Sequence, residues 1–406
     1  MSNLLVYAAF DPFPAPKGAA THIAAFARAL GDGLGPRHGA LDLVTVAPPG
    51  SAFAAPDLGP WVRHHPLAVR GPTVIDRALC FRRALREWWG ERRAALVHVR
   101  TIFEGYPLAR TGQRFRERLV LEVNGLPSIE LKYHHPAAAD DRELMAKLRA
   151  QEEACLLAAD LVLTPSPVTA AHLLQRGADP ARLRVIPNGV DLACFPWAPP
   201  PTRAAGAPLR LLYAGTLSPW QGAQVALEAL ALLVRDLPAE LVLVGPARAG
   251  QRRALLERAA GLGVSGAVTL REPVEQAELV RLHHAADAAL VPLTACDRNT
   301  VQGCCPLKLV EAMAAGTPVV ASDLPAVRAL MEPEREGLLV RAGSAKAVKD
   351  ALLRLAADAG LSRSLSRGAR ARVEAGLTWE RAGQALLAAY AEVLGGPWSD
   401  SRPDHA

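Results

Sequence analysis

Short apolar runs bounded by turn residues alternate with helical patterns along nearly the whole chain, and that alternation restricts the possible folds more than any other feature. Strand-like runs stand at 4–10, 41–47, 96–100, 119–123, 161–164 and 184–186, with helical patterns at 21–31, 75–90, 140–158 and 167–176 between them. Such an order predicts parallel sheets joined by crossover helices. At 406 residues the chain is longer than one hydrophobic core serves, so two domains of about 100–200 residues each are expected.

A proline-rich passage from Phe195 to Pro208 breaks the alternation and reads as a linker. It separates an N-terminal domain over 1–190 from a second domain over 209–377, with 191–208 between them. The second domain restarts with strands at 209–216, 240–244, 267–270, 288–291 and 318–321. Its helices are expected at 222–235, 250–261, 275–285, 306–315, 325–331 and 344–357. A last amphipathic pattern at 378–394 follows, with Thr378 as its cap, and the tail after Gly395 is polar and expected to be loose. The predicted fold is α/β: two doubly wound, Rossmann-like domains facing each other, with ligands beyond the carboxyl ends of the strands and hence between the domains.

Apolar residues make up 50% of the chain and charged residues 21%, which suits a folded globular protein and excludes disorder as the main state. The net charge of +6 suits anionic ligands or an anionic membrane surface, and nucleic acid is not expected as a partner. Six cysteines show no C-x-x-C pair and no zinc-like spacing with histidine, so reduced thiols are expected. The run at 4–10 lacks preceding basic residues and is interrupted at Asp11, so it reads as a first strand rather than a signal peptide. No uncharged stretch reaches the roughly 18–20 residues of a membrane span. A cytoplasmic location follows as the expectation, with peripheral contact at the inner membrane surface as an option.

The most informative local segment runs Pro306-Leu-Lys-Leu-Val-Glu-Ala-Met-Ala-Ala-Gly-Thr-Pro-Val-Val-Ala-Ser-Asp323. Proline is expected at the first helical position, Gly316 ends the helix, and 318–321 begins a buried strand. Lys308 and Glu311 share a face. Free backbone N–H groups, the positive dipole end and a lysine suit a diphosphate, while a carboxylate one turn deeper can accept hydrogen bonds from a pair of sugar hydroxyls. A surface helix with a weak Lys308–Glu311 ion pair describes the same residues equally well.

This segment resembles the donor-binding helix of the family-four retaining glycosyltransferases, in the version written Ser-Pro-Leu-Lys-Leu-x-Glu-x-Met-Ala-x-Gly-x-Pro-Val-Val-Ala. Cys305 stands where that version has serine. A second family word, Val185-Ile-Pro-Asn-Gly-Val-Asp191, marks the exit from the first domain. The resemblance implies the GT-B fold, a final helix crossing back onto the first domain, and a nucleotide diphosphate sugar as co-substrate, a UDP-sugar or GDP-sugar. It also implies transfer to an acceptor hydroxyl with retention, a hexosyltransferase acting on a glycan or lipid-linked acceptor in bacterial cell-surface polysaccharide synthesis. Lys308 would hold the diphosphate and Glu311 the ribose, with Cys304, Cys305, Pro306 and Leu307 beside them.

Other residues follow from the same resemblance. Gly18, in the loop after the first strand, would lie near the sugar phosphates, and His22 matches the family's histidine at the helix start. A plain loop glycine and a helix-packing histidine remain the alternative. Glu122, Asn124 and Gly125 end a strand and are expected to face the cleft on the acceptor side, in the subgroup written Glu-Val-Asn. Asn124 only hydrogen-bonds and is assigned no general-base role. Arg100 would meet an acceptor anion, or else be a surface arginine. Gly215, Thr216 and Gln221 open the second domain, and Thr216 and Gln221 replace the arginine and lysine that relatives place there for the diphosphate.

Gly303 stands where the family's Glu-x7-Glu pattern has its first glutamate, and Asp297 or Asn299 is the expected substitute for that sugar contact. Arg271, Pro273 and Val274 would meet the nucleobase. No Asp-x-Asp occurs in the chain, so metal-independent transfer without a cofactor is expected. The arginine- and tryptophan-containing segment 76–93 reads as an amphipathic crossover helix or, alternatively, a membrane-facing one. Two further alternatives stay open: a catalytically impaired nucleotide-sugar-binding relative, motivated by Thr216, Gln221 and Gly303, and a GT-B epimerase.

Overall fold

The computed structural model describes residues 4–48, 50, 55–204 and 206–394; the tail after Gly395 lies outside them. The first domain carries strands β1 (Leu5–Pro12), β2 (Leu41–Val46), β3 (Val62–Leu67), β4 (Ala94–Val99), β5 (Arg116–Glu122), β6 (Leu161–Thr164) and β7 (Leu183–Val185). They form one sheet in the order β3-β2-β1-β4-β5-β6-β7, every neighbour parallel. The second domain carries β8 (Leu209–Ala214), β9 (Ala239–Val244), β10 (Val268–Arg271), β11 (Ala288–Val291), β12 (Val319–Ser322) and β13 (Leu338–Val340), in the parallel order β10-β9-β8-β11-β12-β13.

Both sheets are doubly wound. Strand order reverses beside β1 in the first and beside β8 in the second, and a crevice opens at the carboxyl ends there. The strand interiors are near-continuous apolar runs because helices cover both faces, which yields two core layers per domain.

The edge strand β3 escapes a periodicity reading because its sequence, Val-Arg-His-His-Pro-Leu, is polar. It pairs in continuous parallel register with β2, and side chains add to that pairing: Arg63 Nε and His65 Nε2 each lie 2.9 Å from Asp42 Oδ1, and His64 Nε2 lies 2.8 Å from Thr45 Oγ1. The helices Ile102–Arg110 and Pro127–His134 also lie outside the expected set, being short and, in the first case, interrupted by Pro107. Segment 76–93 falls largely in the helix Val74–Trp89, whose Ala78, Phe81, Leu85 and Trp89 pack inward as a crossover helix requires, leaving Ile75 and Leu79 exposed. No helix among the described residues is long and apolar enough to cross a membrane.

The chain leaves the second domain through a short bridge, Val190 pairing with Thr378, and ends on the first domain in the helix Trp379–Leu394. Thr378 Oγ1 accepts from Arg381 N at 3.2 Å, the expected cap. A β-carbon on Gly189 would lie 2.2 Å from the Thr378 carbonyl carbon, so only glycine admits this crossing. Leu386 and Tyr390 of the last helix are buried against the first sheet and the helix Gly18–His38.

Candidate active site

Two helix amino termini meet in the cleft between the sheets. One opens Gly18–His38 and the other Leu307–Ala315, and neither has a side-chain cap. A β-carbon on Gly18 would lie 3.0 Å from Leu307 Cδ1, so the two ends are in close contact at residue 18. Their free N–H groups and positive dipole ends therefore converge on one volume. Pro306 is the cap residue in extended conformation (ψ 111°) rather than the first helical residue, a shift of one position that leaves the helix start open. The cleft volume is about 1410 Å³, more than the roughly 300–1,000 Å³ of a drug-sized site.

Lys308 is only 8% exposed, and its Nζ has no hydrogen-bond partner among the described residues. The ammonium rests 4.1 Å from the centroid of the Tyr213 ring, and Gly215 (φ 145°) lets the backbone pass beside its aliphatic stem. Burial pushes the Lys308 amine down to about 7; the Cys304 thiol opposes that shift and Arg298 adds to it. Glu311 keeps a partly exposed face to the cleft, yet burial pushes its carboxyl up to about 7. An ion pair between the two would move both in the opposite directions, and none forms. The surface-pair reading of this helix therefore fails: the structure holds an acid and a base in one cleft with no partner among the described residues, an arrangement that concentrates at functional sites.

The expected residues divide cleanly. Gly18, His22, Arg100, Asn124, Gly215, Thr216, Gln221, Pro273, Val274, Cys304, Cys305, Pro306, Leu307, Lys308 and Glu311 all line the cleft. Arg271, Gly303 and Glu122 do not. Arg271 turns its guanidinium to Glu278, 3.0 Å away on the following helix. Gly303 (φ 81°) is wedged against the first domain, where a β-carbon would lie 2.8 Å from Val168 Cβ, so a glutamate has no room there. The substitutes proposed for that glutamate are occupied elsewhere. Asp297 is held by Lys132 and Tyr133, and Asn299 is buried, donating to the carbonyls of Trp220 (3.0 Å) and Thr294 (2.9 Å).

Glu122 corrects the expectation of a strand-end acid facing the cleft. It is 1% exposed and gathers Tyr7 Oη (3.0 Å), His22 Nε2 (2.8 Å), His98 Nε2 (2.9 Å), Arg100 Nε (3.2 Å) and the Asn124 amide. Burial alone would raise its carboxyl, but the charges of His22 and Arg100, with the close contacts of His22 and His98, outweigh burial and hold it well below the usual range. Arg100 is neutralised on both sides, by Glu122 and by Asp11 at 3.2 Å, and its guanidinium is not free for an acceptor anion. His98 Nε2 lies 2.9 Å from Glu122, off the line of a hydrogen bond, and its Nδ1 is hydrogen-bonded with Tyr390 Oη at 2.6 Å, which ties the last helix into the cluster.

His22 links this cluster to the other domain. Asn188 Nδ2 donates to the Cys305 carbonyl at 2.7 Å, which turns Asn188 Oδ1 toward His22 Nδ1 at 2.8 Å. Both ring nitrogens of His22 thus face acceptors, Nδ1 in a hydrogen bond with Asn188 and Nε2 in a 2.8 Å contact with Glu122 that is off the line of one. Cys305 precedes the cap of the 307–315 helix, so the chain Glu122–His22–Asn188–Cys305 sets the first domain against the start of that helix.

Sequence reasoning passed over Asn188 as a turn residue and missed Glu130, Arg298 and Gln302. Gln302 accepts from Leu126 N (2.9 Å) and donates to Glu130 Oε1 (2.8 Å), while Arg298 Nε stands 3.0 Å from the same Glu130 oxygen. No spacing rule finds such contacts, because each joins residues more than 160 positions apart. Among the described residues no group of three or more His, Cys, Asp or Glu side chains is placed to hold a metal ion.

Comparison with known proteins gives a consistent picture. Residues 16–193 match the family model described as Glycosyltransferase Family 4, and residues 208–358 match the one described as Glycosyl transferases group 1. A D-inositol 3-phosphate glycosyltransferase of Saccharomonospora viridis is 34% identical over 257 residues, 60% of this chain but only 58% of that relative, so the chain spans less than two thirds of its length. The protein of the same name from Streptomyces bingchenggensis is 30% identical over 328 residues, 76% of this chain and 69% of the relative. Among solved structures, sucrose-phosphate synthase from Thermosynechococcus elongatus superposes with a TM-score of 0.76 at 22% identity, covering 96% of this chain and 99% of that one, a likeness of fold.

Proposed function

This chain belongs to the family-four, group 1 glycosyltransferases, and we propose that it transfers a sugar from a nucleotide diphosphate sugar to an acceptor hydroxyl with retention of anomeric configuration. One observation carries the reading: among the described residues Lys308 and Glu311 have no hydrogen-bond or ion-pair partner in the cleft where two helix amino termini converge. The diphosphate lies at those termini with Lys308 beside it, and Glu311 accepts from the ribose hydroxyls one turn further along. Arrival of the anion raises the Lys308 amine back toward its ordinary range, so the full positive charge is in place as the sugar–phosphate bond breaks.

Charge that develops on the leaving diphosphate is met by fixed dipoles and cations, which carry the stabilisation without a general acid. The acceptor enters from the first-domain side, past Asn124 and Gly125, on the face of the sugar that the diphosphate leaves. Glu122 serves as the scaffold beneath that wall. The two relatives are named for inositol 3-phosphate. For this chain we propose a glycan or lipid-linked hydroxyl, because the buried arginine best placed for an acceptor phosphate, Arg100, is already neutralised.

Thermal-shift screening of UDP-, GDP- and ADP-sugars tests the reading, since a ligand that binds only the native state raises its melting temperature. One donor should raise it clearly and Glu311→Ala should abolish the shift. A shift that survives in that variant rejects the site. Binding without sugar transfer or donor hydrolysis on an acceptor panel identifies the impaired relative instead.

A further inference from the structure

A lysine that titrates near neutrality is a weak sole anchor for a diphosphate, because it enters the site only partly charged. The two loop positions that relatives make basic are neutral here: Thr216 and Gln221 both line the cleft, and Gln221 Oε1 is buried without a partner. The other cations on the cleft walls differ in availability. Arg100 is balanced by two carboxylates, Arg28 donates to the Asp57 carbonyl, and Lys17 is exposed at the start of the Gly18–His38 helix on the first-domain side.

Arg298 is placed differently. It belongs to the second domain, lines the cleft with Lys308 and Cys304, and begins a turn over Arg298–Gln302 that Asn299 pins through its bonds to Trp220 and Thr294. Its guanidinium carbon lies 5.4 Å from the centroid of the Trp220 ring. Its Nε is 3.0 Å from Glu130 Oε1 but off the line of a hydrogen bond, so Nε is buried with no bond partner and the contact is one of charge alone. Glu130 has a second claim on it, the amide of Gln302 at 2.8 Å. Arg298 Nη1 donates to Asn299 Oδ1 at 3.3 Å, and its charge lowers both the Cys304 thiol and the Lys308 amine, its neighbours on the cleft wall.

We propose that Arg298 is the permanent cation facing the donor diphosphate, in place of the charges missing at positions 216 and 221. A guanidinium stays charged at every working pH and offers a planar fork to two phosphate oxygens, which an amine titrating near neutrality does not. Its pose depends on the first domain through Glu130, so full donor affinity requires the domains to be docked. This inference rests on the nucleotide-sugar reading above and adds a residue to it.

Calorimetric titration with UDP, GDP and ADP, and with the matching monophosphates, separates the two. In the full-length protein, Arg298→Ala and Arg298→Gln should weaken the preferred diphosphate by roughly ten- to a hundredfold, the size of one charge-assisted contact, and the monophosphate by much less. Adding Gln221→Lys to Arg298→Ala should return most of the lost affinity, a rescue that a merely structural role does not allow. Diphosphate binding unchanged in both Arg298 variants while Lys308→Ala loses it overturns the Arg298 assignment alone. Equal losses of monophosphate and diphosphate overturn it as well. If the wild-type protein binds no diphosphate, the nucleotide-sugar reading falls and this inference with it.

Discussion

Glu122 in the first domain and Glu311 in the second are both carboxylates beside the cleft, the first fully buried and the second partly exposed, and their surroundings are opposite. Glu122 is met by two histidines, an arginine, a tyrosine and an amide, and is held well below the usual carboxylate range. Glu311 has no hydrogen-bond or ion-pair partner among the described residues and is pushed up to about 7 by burial. A satisfied buried charge organises its own domain, whereas an unsatisfied one weakens the domain and waits for a ligand. The pair shows that proximity to a cleft does not by itself leave a carboxylate available to a ligand; Glu122 is spent on internal partners and Glu311 is not.

The sharpest way to break this contrast is Lys308→Met. If the unpaired wall exists for a ligand, the change should lower nucleotide affinity by about a hundredfold or more while raising the melting temperature of the ligand-free protein, because a desolvated amine is removed. A lower melting temperature shows that Lys308 has a structural partner after all. Glu122→Gln is the mirror experiment. Breaking a buried, multiply paired charge typically costs about 3–5 kcal/mol, so denaturant unfolding should shift strongly. A variant as stable as wild type removes Glu122 from the scaffold.

The pH dependence of stability separates the two walls with a smaller effect. For Glu311 the native state binds the extra proton between 4.5 and about 7, so stability falls as pH rises through that window. For Lys308 the unfolded chain binds the extra proton between about 7 and 10.5, so stability rises there. The ligand-free protein should therefore show a dip near neutrality, on the order of 1 kcal/mol from these groups, that nucleotide fills. The low Glu122 value contributes stability that is present above 4.5 and lost only as pH falls below it, through the depressed native value. Melting curves from pH 4 to 10, with and without nucleotide, check both signs, and a profile flat across neutrality removes the shifts at 308 and 311.

The smallest effect belongs to Gly18→Ala. Its added carbon meets only the flexible end of Leu307 at 3.0 Å, so a few-fold rise in donor KM and a loss below about 1 kcal/mol are expected. A large loss of both KM and stability shows that the two helix ends have no room to adjust.

What the sequence reveals of this molecule is what is local. The alternation of strands and helices, the break after Phe195, the cap at Thr378 and the segment from Pro306 to Asp323 each depend on neighbours a few positions apart. Lys308 and Glu311 are legible for the same reason. The orientation of Glu122 is not, because a strand end does not disclose whether histidines from other elements close over it. Arg298 and Glu130 acquire meaning only when the helix Pro127–His134 docks on the turn at 298–302, and Asn188 only when Cys305 arrives beside it. Gly303 shows the same limit from the other side: a position read as a lost sugar contact is a packing contact with Val168.

The hydrogen bond from Tyr390 to His98 has a consequence for how the protein is made. During synthesis the N-terminal half leaves the ribosome well before Tyr390 and Leu386 exist, so its charged hub and one apolar face stay open while the entire second half is being translated. Newly made chains in that interval should bind hydrophobic dye and yield to protease near 1–208, and they should lose both properties only once the closing helix has docked.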